Sequence, residues 1–261
     1  MLDADLLDFK NPPLVEVVVG VQFEPSHQYH PFHARDVWGL FNNRFPLVQE
    51  HPALAPQFET FGVQAQNVIN FNLSNPSQQI RYWFLSDDES ELIQYQNDRI
   101  LHNWRKTRGN LTSYPRFESI YNSFMSELYT LQSYRMNKLI ISQCEISYIN
   151  LIDGESQDNI MKNFIKFDVS SGISPTDITL SLRKVIVRDG IPVSRLYVDC
   201  GTAVSEGGRP AVALQFTVRG APRASGIEAA LEFIREGRNV IADAFLTVTT
   251  DSAQAYWGRV E

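Results

Sequence analysis

The sequence predicts an α+β protein in which long helices pack on one face of a predominantly antiparallel, curved sheet. Three observations support this fold class. A fourteen-residue run without Gly or Pro, LIISQCEISYINLI at 139–152, is long for a strand, because about 3.3 Å per residue would extend it to roughly 46 Å. Two groups of short alternating segments separated by turn residues indicate two antiparallel meanders. An amphipathic helical pattern follows each meander.

The first half of the chain starts its regular structure after Asn11-Pro12-Pro13, which disfavours a helix. Alternating valines then predict a strand over 14–23, and apolar residues at helical spacing predict a short helix over 37–45. A proline-spotted connection leads into the first meander, and Pro115 is well placed to open a helix over 117–134. The strands predicted in this meander are 61–73, 79–85, 92–96 and 99–106.

The second half starts with the long central strand and repeats this arrangement. A short helix is predicted over 157–165, and Asp189-Gly190 supplies a turn within the second meander. Ser225 and Glu228 have the spacing of a capping box, so they predict the start of a last long helix. The strands predicted in this meander are 178–183, 195–200 and 212–218, the last being the clearest half-buried alternation in the chain.

The repeated order of elements divides the chain into two β-α-βββ-α halves, 1–137 and 138–261. VEVVVGVQF at 15–23 can be laid over CEISYINLI at 144–152, but only the glutamate is identical, so the order of elements carries the argument. If the halves are tandem copies, their first strands lie near a pseudo-dyad. We therefore expect the halves to share one sheet as a single structural unit.

The composition is that of a globular protein, with 43% hydrophobic and 20% charged residues. A net charge of −7 argues against general binding to nucleic acid or to anionic membranes. The two cysteines, Cys144 and Cys200, are too few for a disulfide framework and indicate a reducing compartment. With no secretory signal pattern and no membrane-length apolar run, the expected location is cytoplasmic.

Several motifs together carry a resemblance to a known family. The motifs are NPPLVEVVVGVQF, RYWFLSDDESELIQYQNDRILHNWR, YPRFESIYNSF, CEISYINLI and the closing WG, and the match covers nearly the whole chain. They resemble a sporadically distributed family of uncharacterised bacterial proteins of about 260 residues. The resemblance implies a bacterial or archaeal cytoplasmic protein from a defence-like or accessory gene set. It brings no activity, cofactor or catalytic residue to this sequence.

Three of the five histidines lie within seven residues, at His27, His30 and His33. Imidazole is a common ligand of zinc, copper and nickel, so a metal site is one interpretation. Pro31 prevents a regular helix across the cluster, and a complete site would need a further ligand such as Glu24 or Asp36. Solvated histidines in a turn are the alternative interpretation.

The central strand places a polar patch, which contains Gln143 and Glu145, on the face opposite to its apolar residues. If the halves are duplicated, Glu16 and Glu145 would face each other, and two close carboxylates could form an acid/base pair. The alternative is a solvated sheet face. Asn150 is predicted either to end the regular strand or to line a cleft.

A basic patch with interleaved aromatic residues is predicted in the first meander, from Arg81 on one strand and Arg99 and Arg105 on another. Such a patch can bind a phosphate or a single nucleic-acid strand through charge and stacking. Strand alternation places Trp104 in the core and the arginines in solvent. A charged strand that discourages aggregation is the simpler interpretation.

No local catalytic or cofactor-binding motif is present in the sequence, so we expect no cofactor. The expected function is a non-catalytic protein-binding or assembly component, for example of a bacterial defence or toxin-neutralising gene set. Its partner would be a protein encoded nearby or a second copy, and nucleic acid and membrane are not expected. The first alternative is a small-molecule or nucleotide sensor with a cleft between sheet and helices, lined by the polar patch. The second alternative is an enzyme whose site is assembled from distant residues.

Overall fold

The computed structural model describes residues 8–26, 30, 32–61, 80–107, 114–135, 139–166 and 177–260. These residues form an α+β fold with a nine-stranded antiparallel sheet, a separate two-stranded sheet and five helices. The predicted fold class is confirmed. Within the described residues, no helix is both long enough and apolar enough to cross a membrane.

The structure sets the bounds of each element as follows. The strands are β1 (Asp8–Phe9), β2 (Leu14–Phe23), β3 (Leu47–Pro52), β4 (Ile80–Leu85), β5 (Glu91–Gln96), β6 (Arg99–Arg105), β7 (Ile141–Asp153), β8 (Thr179–Arg188), β9 (Ile191–Val204), β10 (Pro210–Gly220) and β11 (Arg259–Val260). The helices are α1 (Phe32–Phe41), α2 (Phe117–Arg135), α3 (Gln157–Phe164), α4 (Ile227–Val248) and α5 (Asp251–Tyr256).

The strand order of the large sheet is β3-β4-β5-β6-β2-β7-β10-β9-β8. The first strands of the two halves, β2 and β7, are therefore neighbours at its centre and run antiparallel. In each half the first strand also pairs with the last strand of its meander, β2 with β6 and β7 with β10. Strands from before and after the predicted boundary at 137/138 thus form contiguous parts of one sheet.

Two details of the first half differ from the predicted elements. β3 forms in the proline-spotted connection, where no strand was predicted, and it becomes an edge of the sheet beside β4. Most of the predicted strand at 61–73 lies outside the described residues. In the second half, the strand predicted at 178–183 continues to Arg188, because residues 184–188 keep pairing with β9.

The two faces of the large sheet differ in character. Alternate residues of β2, β7 and β10 point to the helix face, where α2 and α4 pack. Gly237 lets α4 approach the sheet closely, since a Cβ at this position would lie 2.7 Å from Cγ2 of Ile146. The opposite side, here called the open face, carries Glu16, Gln22 and Gln143.

The N- and C-terminal parts of the described chain meet beside the helix face. β1 and β11 pair antiparallel, and the backbone contact continues from Lys10 N to Gly258 O. The ring of Phe9 packs against Phe245 of α4 at a centroid distance of 5.5 Å. This contact closes the end of the layer between α4 and the sheet.

Candidate functional site

A cavity of about 260 Å³ lies on the helix face, between the sheet and helices α2 and α4. Its walls are mainly apolar, and polar side chains gather at one part of the lining. The apolar lining residues are Phe9, Pro12, Leu14, Phe117, Phe216, Ile241, Ala242 and Phe245. The polar lining residues are Tyr114, Arg116, Glu118, Tyr148, Asn150 and Arg238. Glu118 is paired with Arg235 at 2.8 Å. Mainly apolar walls with a few convergent polar groups are typical of small-molecule sites.

Two tyrosine hydroxyls meet in this lining, with 3.1 Å between Oη of Tyr114 and Oη of Tyr148. Tyr148 comes from the centre of the sheet, whereas Tyr114 precedes α2 and packs against Trp104. Burial is the main cause that raises the pKa of both tyrosines. Both hydroxyls therefore keep their protons at neutral pH, and because one O–H donates to the other hydroxyl, the second O–H is left for a ligand.

Two arginines add further donors to the same lining. Nη1 of Arg116 donates to the carbonyl of Phe9 at 3.3 Å, which joins the start of α2 to β1. The guanidinium of Arg238 hydrogen-bonds to Tyr148 and lies 5.8 Å from the centroid of the Phe117 ring. Because a guanidinium has five donors and no acceptor, the polar part of the cavity is rich in donors.

Among the predicted site residues that the structure describes, Asn150 alone lines this cavity. It is 3% exposed, and its Nδ2 donates to the carbonyl of Leu214 on the neighbouring strand at 3.1 Å. Asn150 does not end the strand, because β7 continues to Asp153; it lines the cavity instead. The side chain fixes the wall of the cavity to the backbone of β10.

The open face is crossed by residues 53–61, which we call the strap. Gln96 bonds both backbone groups of Leu54, since it accepts from the N–H at 2.9 Å and donates to the carbonyl at 3.0 Å. Gln22 accepts from the N–H of Gln57 at 3.1 Å. Further along, Gln143 accepts from the N–H of Glu59 at 3.3 Å. The strap thus passes from β5 over β2 and β7, across the line where the two halves meet.

The far end of the strap is held through the side chain of Glu59, which is 5% exposed. Its carboxylate accepts from Nε of Arg195 at 2.8 Å and from the hydroxyl of Tyr197. Arg195 also donates to the carbonyl of Thr60 at 3.0 Å. Burial first, and then the hydrogen bond to Glu59, raise the pKa of Tyr197, so this hydroxyl stays a donor.

The strap explains why the predicted polar patch does not form a ligand cleft. Among the described residues, the gap lined by Gln143 and Glu145 measures about 20 Å³, which is room for about one water molecule. Glu145 is paired with Arg219 on β10 at 2.8 Å, and Ser147 bonds Thr217 at 2.6 Å. The helices lie on the other side of the sheet. We expected this polar patch to line a cleft between the sheet and the helices. The cavity that lies there is lined by other residues.

Glu16 and Glu145 do not face each other, in contrast to the expected acid/base pair. Glu145 lies opposite Gly20 and Glu16 lies opposite Ile149, which separates the carboxylates by four positions, or about 13 Å along the strand. Asn103 donates to Glu16 at 2.6 Å. Burial nevertheless raises the pKa of Glu16, more than this bond and Arg105 lower it.

The three predicted arginines are on the open face but already have partners. Arg99 was expected in solvent, yet it is 6% exposed, because the strap covers it and its Nη2 bonds Gln22 at 2.9 Å. Arg105 bonds the backbone carbonyl of Glu89 at 2.8 Å, and Arg81 bonds Gln94 at 2.8 Å. These contacts hold neighbouring strands together. Trp104 is in the core, where alternation predicted it.

The histidine cluster can be described only in part, because His27 lies outside the described residues. Nδ1 of His33 accepts from the N–H of His30 at 3.0 Å, and Nδ1 of His30 accepts from the N–H of Phe32 at 3.3 Å. These bonds shape the turn that leads into α1. Among the described residues, no group of three His, Cys, Asp or Glu side chains could hold a metal ion.

A buried His102–Glu127 pair was missed in the sequence. Nδ1 of His102 lies 3.0 Å from both carboxylate oxygens of Glu127, which joins β6 to α2 inside the core. Nε2 of His102 has no hydrogen-bond partner in the described part of the chain. The pair is enclosed, so it positions α2 on the sheet rather than presenting a reactive group.

No protein-family model matches the sequence, and no curated protein is significantly similar to it. The resemblance to a bacterial family therefore stays a prediction. What the chain does must be inferred from the cavity and from the two faces of its sheet.

Proposed function

We propose that the protein binds a small organic molecule in the helix–sheet cavity. The observation that carries this proposal is a chamber of about 260 Å³ with aromatic and aliphatic walls and a donor-rich polar part. Drug-sized ligands occupy pockets of roughly 300–1,000 Å³, so the expected ligand is small. Its body is apolar, and it carries an oxygen acceptor such as a carboxylate or a carbonyl. A sensor or carrier role fits this chemistry.

The test is a thermal-shift screen of the full chain with small aromatic and aliphatic carboxylates, each paired with its neutral amide or alcohol. A ligand at one hundred times its Kd stabilises the folded state by about 2.7 kcal/mol, which is measurable as a rise in Tm. Native mass spectrometry of the freshly purified protein checks for a ligand that co-purifies.

Two variants connect any binding to the cavity. Ala242→Phe fills the chamber from α4, so it should abolish binding. Tyr148→Phe keeps the ring and removes one donor, so it should weaken binding about three- to tenfold. Tyr129→Phe is the control, because this exposed tyrosine of α2 lies outside the cavity and bonds Glu228. Binding that is unchanged in Ala242→Phe would place the ligand elsewhere and refute the proposal.

Binding of a protein partner, which the sequence favoured, is a second proposal. The observation that favours it is the manner in which the open face holds an extended peptide, namely the strap, mostly through backbone groups. A protein from a neighbouring gene of a bacterial defence set is the first candidate partner. Co-expression of both proteins followed by co-purification tests for a complex, and a Gln143→Ala variant tests whether the open face is used.

A further inference from the structure

We propose that the open face is a binding groove for an extended, glutamate-containing segment of a partner protein, and that the strap is its resident occupant. The inference rests on the second proposed function and gives the partner a place and a chemistry. It is independent of the small-molecule cavity, which lies on the other side of the sheet.

Most hydrogen bonds between the groove and the strap are made to the backbone of the strap. Six hydrogen bonds join side chains of the groove to backbone N–H and carbonyl groups of the strap. The glutamines that make four of them, Gln22, Gln96 and Gln143, offer both a donor and an acceptor. Any extended segment presents the same backbone groups, so these contacts do not depend on the sequence of the strap.

One side chain of the strap is recognised specifically. Arg195 and Tyr197 enclose the carboxylate of Glu59, and charge-assisted hydrogen bonds are roughly twice as strong as neutral ones. The adjacent Phe58 has no comparable seat, because it is 59% exposed. A competing segment therefore needs an extended backbone and one glutamate in the correct register.

The strap is also attached in a way that permits exchange. Apart from the side chain of Glu59, residues 53–61 are half-buried or exposed, so polar contacts rather than apolar burial hold the strap. A protein hydrogen bond contributes only about 1 kcal/mol net, because water replaces it when it opens. The glutamines and Arg99 would be hydrated after opening, so local release should require much less free energy than global unfolding.

The experiment supplies the strap sequence in trans. A fluorescent peptide with residues 53–61, ALAPQFETF, is titrated into the full chain and followed by anisotropy. Glu59→Ala in the protein loosens the resident strap, so this variant should bind the peptide at least tenfold more tightly than the parent chain. The same peptide with Ala in place of its glutamate should bind at least tenfold more weakly.

Groove variants locate the binding. In the Glu59→Ala background, Gln143→Ala should weaken peptide binding, whereas Gln215→Ala should not. Gln215 is the matched control, because it lies on the same face of the adjacent strand and bonds Thr217 instead of the strap. Compared with the parent chain, Glu59→Ala should show faster hydrogen exchange at the amides of Leu54 and Gln57 and unchanged exchange in β2 and β7.

If the amides of Leu54 and Gln57 stay protected in Glu59→Ala, Leu54→Pro is added to this variant. Leu54→Pro removes the backbone N–H that donates to Gln96. The proposal is overturned if the peptide fails to bind this opened chain, or if the glutamate in the peptide makes no difference. If the opened variant forms a dimer and the peptide dissociates this dimer, the partner is a second copy of this chain and not a separate protein. None of these outcomes depends on whether the cavity binds a small molecule.

Discussion

Replacing Gly237 by alanine should destabilise the protein, although the same change in an exposed helix normally stabilises it. A glycine inside a helix costs about 1 kcal/mol relative to alanine. At Gly237 in α4, however, the added Cβ would lie 2.7 Å from Cγ2 of Ile146 and 3.4 Å from Cβ of Val218. Both neighbours are buried side chains of the central sheet. Overpacking of this kind costs about 1–3 kcal/mol, which equals or exceeds the gain in helix propensity.

Gly39→Ala provides the matched control, because Gly39 is also inside a helix and a Cβ there would meet nothing within 4 Å. Urea unfolding should show Gly39→Ala stabilised by about 0.5–1 kcal/mol. The two variants should therefore differ by about 1–3 kcal/mol in their free energy of unfolding. Because Arg238 follows directly, Gly237→Ala should also weaken ligand binding in the cavity. If Gly237→Ala is as stable as Gly39→Ala, the close contact between α4 and the sheet is not a constraint.

Three further predictions concern buried ionisable groups. Burial raises the pKa of Glu16, so the folded state loses stability as pH rises from the unfolded pKa through this raised value. Glu16→Gln should remove this loss. In urea unfolding, the free energy of unfolding of Glu16→Gln should therefore exceed that of the parent chain at pH 8 but not at pH 4.5. Burial also raises the pKa of Cys200 to about 11 and that of Cys144 further, so a thiol reagent at pH 8 should label neither cysteine until urea unfolds the chain. Glu127→Ala should lower the free energy of urea unfolding by about 3–5 kcal/mol, because it leaves His102 buried without its partner. Replacing both residues by leucine should restore most of this stability. A cost of Glu127→Ala below about 1 kcal/mol would contradict a structural role of the pair.

Periodicity in the sequence was sufficient to predict most of the regular elements. The alternation at 212–218 corresponds to β10, and the apolar spacing over 117–134 corresponds to α2 almost residue for residue. These segments each bury one face, so their apolar residues recur with a period of about two in strands and about 3.6 in helices. β3 has no such pattern, since most of its residues are exposed, and it was therefore missed.

The same reasoning placed polar residues on the correct face of β7 but gave no information about what covers them. Gln143 and Glu145 read as an accessible patch, because the strap that covers Gln143 is a proline-spotted segment more than eighty positions earlier in the chain. A contact at this separation through side-chain amides leaves no local signal. Arg99 was assigned to solvent for the same reason.

The His102–Glu127 pair did leave a signal. His102 alternates with Ile100 and Trp104, which are core residues of β6, and Glu127 falls between Phe124 and Leu131 on the buried stripe of α2. An ionisable residue at a core position of each element predicts a buried pair, because an isolated buried charge is too costly. What the sequence lacks is the packing of α2 on β6, which decides that these two groups meet.

The central strand explains how one protein could hold two different partners without interference. Successive side chains of β7 point to opposite faces, so Tyr148 and Asn150 line the cavity while Gln143 contacts the strap. Substitutions on the two faces should therefore act separately. Tyr148→Phe should change the affinity for a small ligand and leave peptide binding unchanged, whereas Gln143→Ala should do the reverse. Because the strand itself is rigidly paired on both sides, any coupling between the two measurements would have to come from movement of the whole sheet centre, and additive effects in the double variant would exclude it.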